Sequence, residues 1–167
     1  MTSEIRAALR SFPYGLYAIG VAADGRANAF TANWLTQVSS EPPLVAVAVE
    51  GDAPSLEFAR AGRAFSVTLY GIDQRRDAAL LARPSRRAPE KLEDVPHSLH
   101  ASGLPIVEGG VAWLVCGLER TLESGDHTLL IGRILDAGSA EPEATAGEGA
   151  PAPPEPLTMR RAGFRYG

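Results

Sequence analysis

The sequence contains few of the residues that build covalent or metal-bound frameworks. Its 167 residues include one cysteine, Cys116, and three histidines. A single cysteine excludes an internal disulfide framework and a cysteine-rich metal cluster. His97 and His100 form an H-x-x-H pair with Glu93 and Asp94 nearby. We interpret them as surface histidines, with a metal site as the alternative, and we predict no resident metal.

Long apolar runs and an excess of basic charge are also missing. No apolar segment approaches the roughly 20 residues of a membrane-spanning helix, and residues 1–6 lack the apolar core of a secretory signal. The 16 basic side chains face 20 acidic ones, for a net charge of −4. Proteins that bind nucleic acid instead present a clustered basic surface. We therefore expect a cytoplasmic protein that neither spans a membrane nor binds nucleic acid.

The motifs of several common enzyme classes do not occur. The sequence has no G-x-G-x-x-G after a strand pattern, no P-loop, no G-x-S-x-G and no H-E-x-x-H. Dinucleotide binding on a Rossmann fold, P-loop chemistry, α/β-hydrolase chemistry and metalloprotease chemistry therefore lose support.

The composition that remains is typical of one globular domain. Hydrophobic residues make up 45% and charged residues 22% of the chain, and the length suits one domain with a substantial core. We predict a single domain over residues 1–167. Residues 139–156 contain no aliphatic side chain larger than alanine, so we predict a flexible insertion there. Large apolar residues resume at Leu157, and the fold must receive this last segment.

Strand and hairpin patterns dominate the chain. Turn residues Asp24-Gly25 and Gly125-Asp126 each separate two apolar runs, which is typical of hairpins. The predicted strands cover residues 15–22, 27–31, 44–49, 65–70, 111–122 and 128–135. Short helices are predicted near residues 3–12, 52–61 and 74–82, the first capped by Thr2 or Ser3 and the last by Asp73. About six or seven strands without βαβ alternation predict a small antiparallel barrel or sandwich.

The densest polar cluster lies at residues 31–40, directly after a predicted strand. It holds four hydroxyl side chains, two amides and the indole of Trp34. We interpret it as a turn whose N–H groups and hydroxyls suit a phosphate or a planar heteroaromatic ring. An ordinary loop rich in serine and threonine is the alternative.

Five segments together resemble one known family. TANWLTQVS followed by EPPLVAVAV is similar to the signature of the flavin reductase-like family, the FMN-binding split barrels. FPYGLYAIGV, FSVTLYGIDQ, SGDHTLLIGRI and PLTMRRAGFRYG resemble further segments of its flavoredoxin-like and rubredoxin-fused members, in the same order. The likeness covers about residues 11–136 and 156–167. It implies a mostly β fold, a six-stranded antiparallel Greek-key split β-barrel with a few short helices.

The resemblance also implies a set of flavin-binding residues. Backbone and side chains of the 31–39 segment, the start of the second helix, one strand residue and an arginine pair would hold FMN. The implied residues are Thr31, Ala32, Asn33, Trp34, Thr36, Gln37, Val38, Ser39, Ser55, Thr68, Arg86 and Arg87. A phosphate near Ser55 would benefit from the free N–H groups and the dipole of a helix start. Thr68 stands where relatives carry Asn or Ser.

His127 is the candidate catalytic residue that the resemblance implies. It follows Asp126 at a hairpin turn, where relatives place a histidine beside the flavin and the nicotinamide. An imidazole there could orient the nicotinamide or supply a proton. The alternative is a histidine that only caps the hairpin.

The implied activity is reduction of flavin by NADH or NADPH, with electrons passed on to a partner monooxygenase, a metal or an electron-transfer protein. The implied assembly is a homodimer with FMN at the subunit interface. The alternative function is a non-catalytic FMN-binding electron carrier, or a split barrel repurposed for another ligand.

Overall fold

Antiparallel pairing organises the chain. The structure is a computed structural model that describes residues 1–139 and 154–164. The helices are α1 (Ser3–Leu9), α2 (Pro54–Gly62), α3 (Arg75–Leu81) and α4 (Met159–Ala162). The strands are β1 (Tyr17–Ala23), β2 (Arg26–Ala32), β3 (Leu35–Ser40), β4 (Pro43–Glu50), β5 (Ala64–Leu69), β6 (His97–Leu99), β7 (Pro105–Val107), β8 (Ala112–Ser124) and β9 (His127–Ser139).

One sheet contains seven of these strands, in the order β2-β1-β5-β8-β9-β4-β3, while β6 pairs only with β7. The β1–β2 hairpin turns at Asp24 and Gly25, both with positive φ (52° and 71°). That conformation matches the twist of a two-residue hairpin and is easily reached by glycine and aspartate. The mostly β, antiparallel fold class is confirmed, although the main sheet has seven strands rather than six.

The core lies inside the curved sheet. Ile19 of β1, Val47 of β4, Phe65 and Val67 of β5 and Leu130 of β9 have no exposed surface and belong to one cluster. Strands from both ends of the sheet order therefore share one interior. Helix α2 covers this core with its buried residues Leu56 and Ala59. Burial of large apolar side chains on this scale is the main stabilising contribution to such a domain.

Two predicted segments differ from the structure. The 31–40 cluster is not a turn, since only residues 33–34 interrupt the strands and β3 then runs along the sheet edge beside β4. No side chain of this edge strand is buried, so polar residues are tolerated throughout and its pattern resembles that of a loop. Asp73 does not cap α3, because the N-cap is Gln74, which makes no side-chain capping bond. The Gln74 side chain instead accepts from the Gly71 N–H and donates to the Glu108 carbonyl.

Helix α1 is capped as predicted but packs differently. The Thr2 hydroxyl accepts a hydrogen bond from the Ile5 N–H. No residue of α1 is buried, and Ile5 and Phe12 are 51% and 57% exposed. The apolar face that the spacing predicted therefore has no core to pack against within the described part of the chain.

The C-terminal segment is hydrogen-bonded to residues that flank β1 and β5. Leu157 is buried, its N–H donates to the Tyr70 carbonyl, and its carbonyl accepts from the Leu16 N–H. Pro156 forms a bridge with Gly71. Residues 140–153 of the predicted insertion lie outside the described residues. Among the described helices, none is long and apolar enough to cross a membrane.

Candidate functional site

A cleft of about 840 Å³ opens where six segments of the chain converge. It is lined by the β2–β3 link, the end of β4, the start of α2 and the segment after α3. The β8–β9 turn and the C-terminal segment complete it. Of the predicted residues, the cleft brings together Thr31, Ala32, Asn33, Trp34, Ser55, Arg86, Arg87 and His127. The volume falls in the range of small-molecule and cofactor sites.

Trp34 and His127 form one wall of the cleft. Their ring centroids are 4.7 Å apart, with the planes tilted by 42°. The Asp126 carboxylate lies 2.6 Å from the His127 Nδ1 atom. This hydrogen bond, followed by the charge of the imidazole, lowers the pKa of Asp126. A neutral imidazole bonded in this way donates from Nδ1, which leaves Nε2 free to accept a hydrogen bond.

The start of α2 forms a second wall. Pro54 is the first helical residue, the N-cap is Ala53, and no side chain caps the helix. Pro54 has no N–H, and the Leu56 N–H donates to the Ala53 carbonyl. The Ser55 N–H and the helix dipole therefore favour an anion at this end. Ser55, also in the first turn, is buried and lines the cleft. A phosphate group fits the chemistry of this wall.

Three arginines border the cleft after α3, in a segment that we call the arginine segment (residues 83–87). Arg86 donates to the Asp52 carbonyl and lies 3.6 Å from the Asp52 carboxylate, so it is tied to the start of α2. Arg83 pairs with Asp94 at 3.1 Å. Arg87 is exposed and also lines the cleft. The segment therefore places positive charge beside the uncapped helix start.

Two of the predicted polar residues are engaged within the protein. The Thr31 hydroxyl donates to the Ala78 carbonyl at 2.8 Å and accepts from the Tyr70 hydroxyl at 2.9 Å. Burial is the main reason that the pKa of Tyr70 is raised. The Asn33 amide donates to the Met159 sulfur at 2.8 Å. These contacts hold Thr31 and Asn33 in place, and we call these two residues the cleft floor. They leave the Thr31 hydroxyl without a proton to donate to a ligand.

Five predicted residues do not line the cleft. Thr36, Gln37, Val38 and Ser39 lie in β3 at the sheet edge. The Gln37 amide donates to the Ser39 carbonyl, and Val38 is 49% exposed. Thr68 is buried in β5, where its hydroxyl accepts from the Val107 N–H. Any contact between these five residues and a flavin stays a prediction.

Sequence reasoning missed several residues that line the cleft. Lys91 is buried there, although its polar, proline-rich surroundings in sequence favoured an exposed loop. Arg83 was passed over beside the two arginines of the family-like segment. Met159 enters from the C-terminal segment, and only the large side chains at that end signalled its contribution.

The remaining histidines and the cysteine lie elsewhere. His97 contacts the Val95 carbonyl, whereas His100 contacts Ser102 and Asp136. In the described part of the chain, no group of three or more His, Cys, Asp or Glu side chains is arranged to hold a metal ion. Burial raises the pKa of the Cys116 thiol to about 12, which makes it an unreactive core residue.

Comparison with known families places the chain in a class. The flavin reductase like domain matches residues 9–167, which is most of the sequence. The chain therefore belongs to the flavin reductase-like family, and the predicted resemblance is confirmed.

Two curated relatives and one solved structure illustrate the likeness. The chain is 30% identical over 134 residues to a high molecular weight rubredoxin from Moorella thermoacetica, covering 78% of this chain and 58% of the relative. It is 31% identical over 142 residues to a probable flavin reductase from Rhizobium meliloti, covering 80% of this chain and 44% of the relative. The chain thus spans about half the length of these two proteins.

The solved structure is that of BorF, the flavin reductase component of a bacterial two-component tryptophan halogenase. The two chains are 33% identical and superpose with a TM-score of 0.75, over 83% of this chain and 88% of BorF. This likeness supports a split β-barrel as the architecture of the curved sheet.

Proposed function

We propose that this protein is an oxidoreductase that uses NADH or NADPH to reduce FMN, with electrons leaving to a separate acceptor. The observation that carries the proposal is the cleft itself. An aromatic wall, an uncapped helix start and an arginine segment meet in one cavity of about 840 Å³. Family membership supports flavin as the ligand.

The residues present fit a flavin mononucleotide. The Ser55 N–H at the start of α2 would donate to the phosphate, and the Ser55 side chain and Arg86 lie beside it. Trp34, Ala32 and Phe30 offer apolar surface to a planar ring system. When bound, the flavin supplies the hydride-accepting chemistry, and the protein supplies binding, orientation and electrostatics.

His127 would act at the nicotinamide side of the cleft. Its ring is held between Trp34 and Asp126, so its orientation is determined before any ligand binds. With Nδ1 engaged, Nε2 can accept a hydrogen bond from a carboxamide, or hold a proton at that atom when the imidazole is charged.

The family supports a separate acceptor for the electrons. BorF is the reductase component of a two-component system, which supports a separate oxygenase or electron-transfer partner for this chain. We also propose a homodimer with the flavin at the subunit interface. Exposed Ile5, Phe12 and Val38 offer apolar surface that a second copy could cover.

Reduction under anaerobic conditions tests the activity. The purified protein is loaded with FMN, and its visible absorbance is followed as NADH or NADPH is added. We expect the oxidised flavin bands to bleach with multiple turnovers once free FMN or an electron acceptor is supplied. A protein that binds FMN but is not reduced by either nucleotide would be an electron carrier instead, and one that binds no flavin would have a repurposed cleft.

A further inference from the structure

Lys91 is the one lysine among 16 basic side chains, and it is buried. Only 3% of the residue is exposed. Its Nζ atom lies 2.7 Å from the Leu81 carbonyl oxygen and 2.6 Å from the Arg83 carbonyl oxygen. Both contacts are charge-assisted hydrogen bonds, which are roughly twice as strong as neutral ones.

The two acceptors determine where the arginine segment begins. Leu81 is the last residue of α3, whose final turn contains no basic side chain of its own. Carbonyls at a helix end have no partner within the helix and carry the negative end of the dipole. The Lys91 ammonium group, ten residues downstream, donates a hydrogen bond to the Leu81 carbonyl. It also donates to the carbonyl of Arg83, the first residue of the arginine segment.

Burial of the Lys91 ammonium group has a cost that depends on pH. Desolvation, and then the nearby charge of Arg83, lower the pKa of Lys91 from 10.5 to about 8. A cation whose folded pKa lies below its unfolded pKa costs folding free energy below pH 8. That cost is relieved as the pH rises from about 8 to about 10.5, because the unfolded state then binds more protons. Lys91 lines the same cleft as the arginine segment that it contacts.

We propose that Lys91 is a positioning residue, whose ammonium group holds the arginine segment against the cleft and thereby sets the affinity for the phosphate of a bound flavin. The proposal rests on the proposed function, since the ligand is the flavin phosphate. Lys91 acts through Arg86 and Arg87, which border the phosphate wall, the name we give to the start of α2 at Pro54 and Ser55.

The charged groups around Lys91 permit a selective pH test. Arg83, Arg87, Glu90, Glu93 and Asp94 line a neighbouring cavity of about 300 Å³ together with Lys91. Any pH dependence that these neighbours contribute must persist when Lys91 is replaced, so a variant at Lys91 separates the two effects.

The main cleft adds five further charged or titratable side chains and one terminus. They are Glu50, Asp52, Arg86, Asp126, His127 and the α-amino group of Met1. Any pH dependence due to these groups must persist when Lys91 is replaced, so Lys91→Met separates it from the effect of Lys91.

The experiment measures dissociation constants for FMN and for riboflavin, which lacks the phosphate, at pH 7 and pH 9.5. The proteins are the wild type, Lys91→Met and Lys91→Arg. For the wild type we expect the FMN dissociation constant to rise about tenfold from pH 7 to pH 9.5, because the Lys91 ammonium group loses its charge. The riboflavin constant should stay the same, because the phosphate wall does not contact it.

The variants make the prediction specific. Compared with wild type, Lys91→Met should bind FMN about tenfold more weakly at pH 7 and equally tightly at pH 9.5. Its dissociation constant for riboflavin should equal that of wild type at both pH values. Lys91→Arg keeps its charge, so its FMN affinity should not depend on pH and should exceed that of Lys91→Met. The proposal is overturned if FMN and riboflavin lose affinity equally, or if the wild-type pH dependence persists in Lys91→Met.

Failure of this proposal can be separated from failure of the proposed function. If wild-type protein binds both flavins and is reduced by NADH, but Lys91→Met binds FMN as tightly as wild type, only the role of Lys91 is wrong. If wild-type protein binds neither flavin, both proposals are wrong.

Discussion

Replacement of His127 by alanine would test the catalytic assignment without unfolding the protein. The change removes a ring contact with Trp34, and aromatic pairs contribute about 0.5–1.5 kcal/mol. The bond to Asp126 adds little to stability, because that carboxylate is 93% exposed. A domain of this kind is stable by about 5–15 kcal/mol. His127→Ala should therefore remain folded.

The effect on the reaction should exceed the effect on binding. The phosphate wall and the cleft floor involve other residues, so FMN affinity should change by less than about threefold, the equivalent of a lost weak contact. A positioned acid–base group contributes about 10²–10⁴-fold, whereas hydride transfer itself needs no side-chain acid. We expect the rate of flavin reduction to fall about ten- to a hundredfold.

The assay is stopped-flow reduction of FMN-saturated protein by NADH, with His100→Ala as the matched control. His100 is also a histidine near a tight turn and pairs with Asp136, and its side chain has the same 22% exposure. It does not line the cleft. His100→Ala should be reduced at the wild-type rate. If His127→Ala is also reduced at that rate, His127 only supports the hairpin and the catalytic assignment is wrong.

The remaining predictions concern the phosphate wall, the cleft floor and assembly. Arg86→Ala should weaken FMN binding about tenfold without changing riboflavin binding, whereas Arg76→Ala, an exposed arginine outside the cleft, should change neither. Thr31→Val leaves the buried Tyr70 hydroxyl without its partner and should cost about 1–3 kcal/mol in urea unfolding. Sedimentation should find a dimer at micromolar concentration, and a monomer with full flavin occupancy would contradict the proposed interface.

The fold was predictable wherever the local pattern and the tertiary structure agree. The Asp24-Gly25 turn and the alternation around it identify the first hairpin from a few residues, because positive φ at both positions is restricted to a few residue types. Strand β3 could not be identified in this way. None of its side chains is buried, so they show no alternation, and what makes the segment a strand is its pairing with β4. Local propensity could not reveal it.

The site was predictable in its signature residues and less so in their contacts. Thr31, Asn33 and Trp34 line the cleft as the family-like segment implied. The commitment of the Thr31 hydroxyl to Tyr70 and Ala78 involves residues about 40 or more positions away. No local pattern encodes such a pairing. Lys91 was missed for the same reason, since its acceptors are backbone carbonyls that carry no sequence signal.

Strand register explains how residues distant in sequence form one wall. The Trp34 carbonyl accepts from the Ala48 N–H, which places Trp34 beside β4. Two residues further along β4, Glu50 pairs with His127 of β9, and α2 begins shortly after that strand ends. A single strand therefore brings the indole, the imidazole and the helix start into one cleft. Because a one-residue slip would turn every side chain of β4 to the other face, the buried alternation of Val45, Val47 and Val49 maintains the site as well as the core.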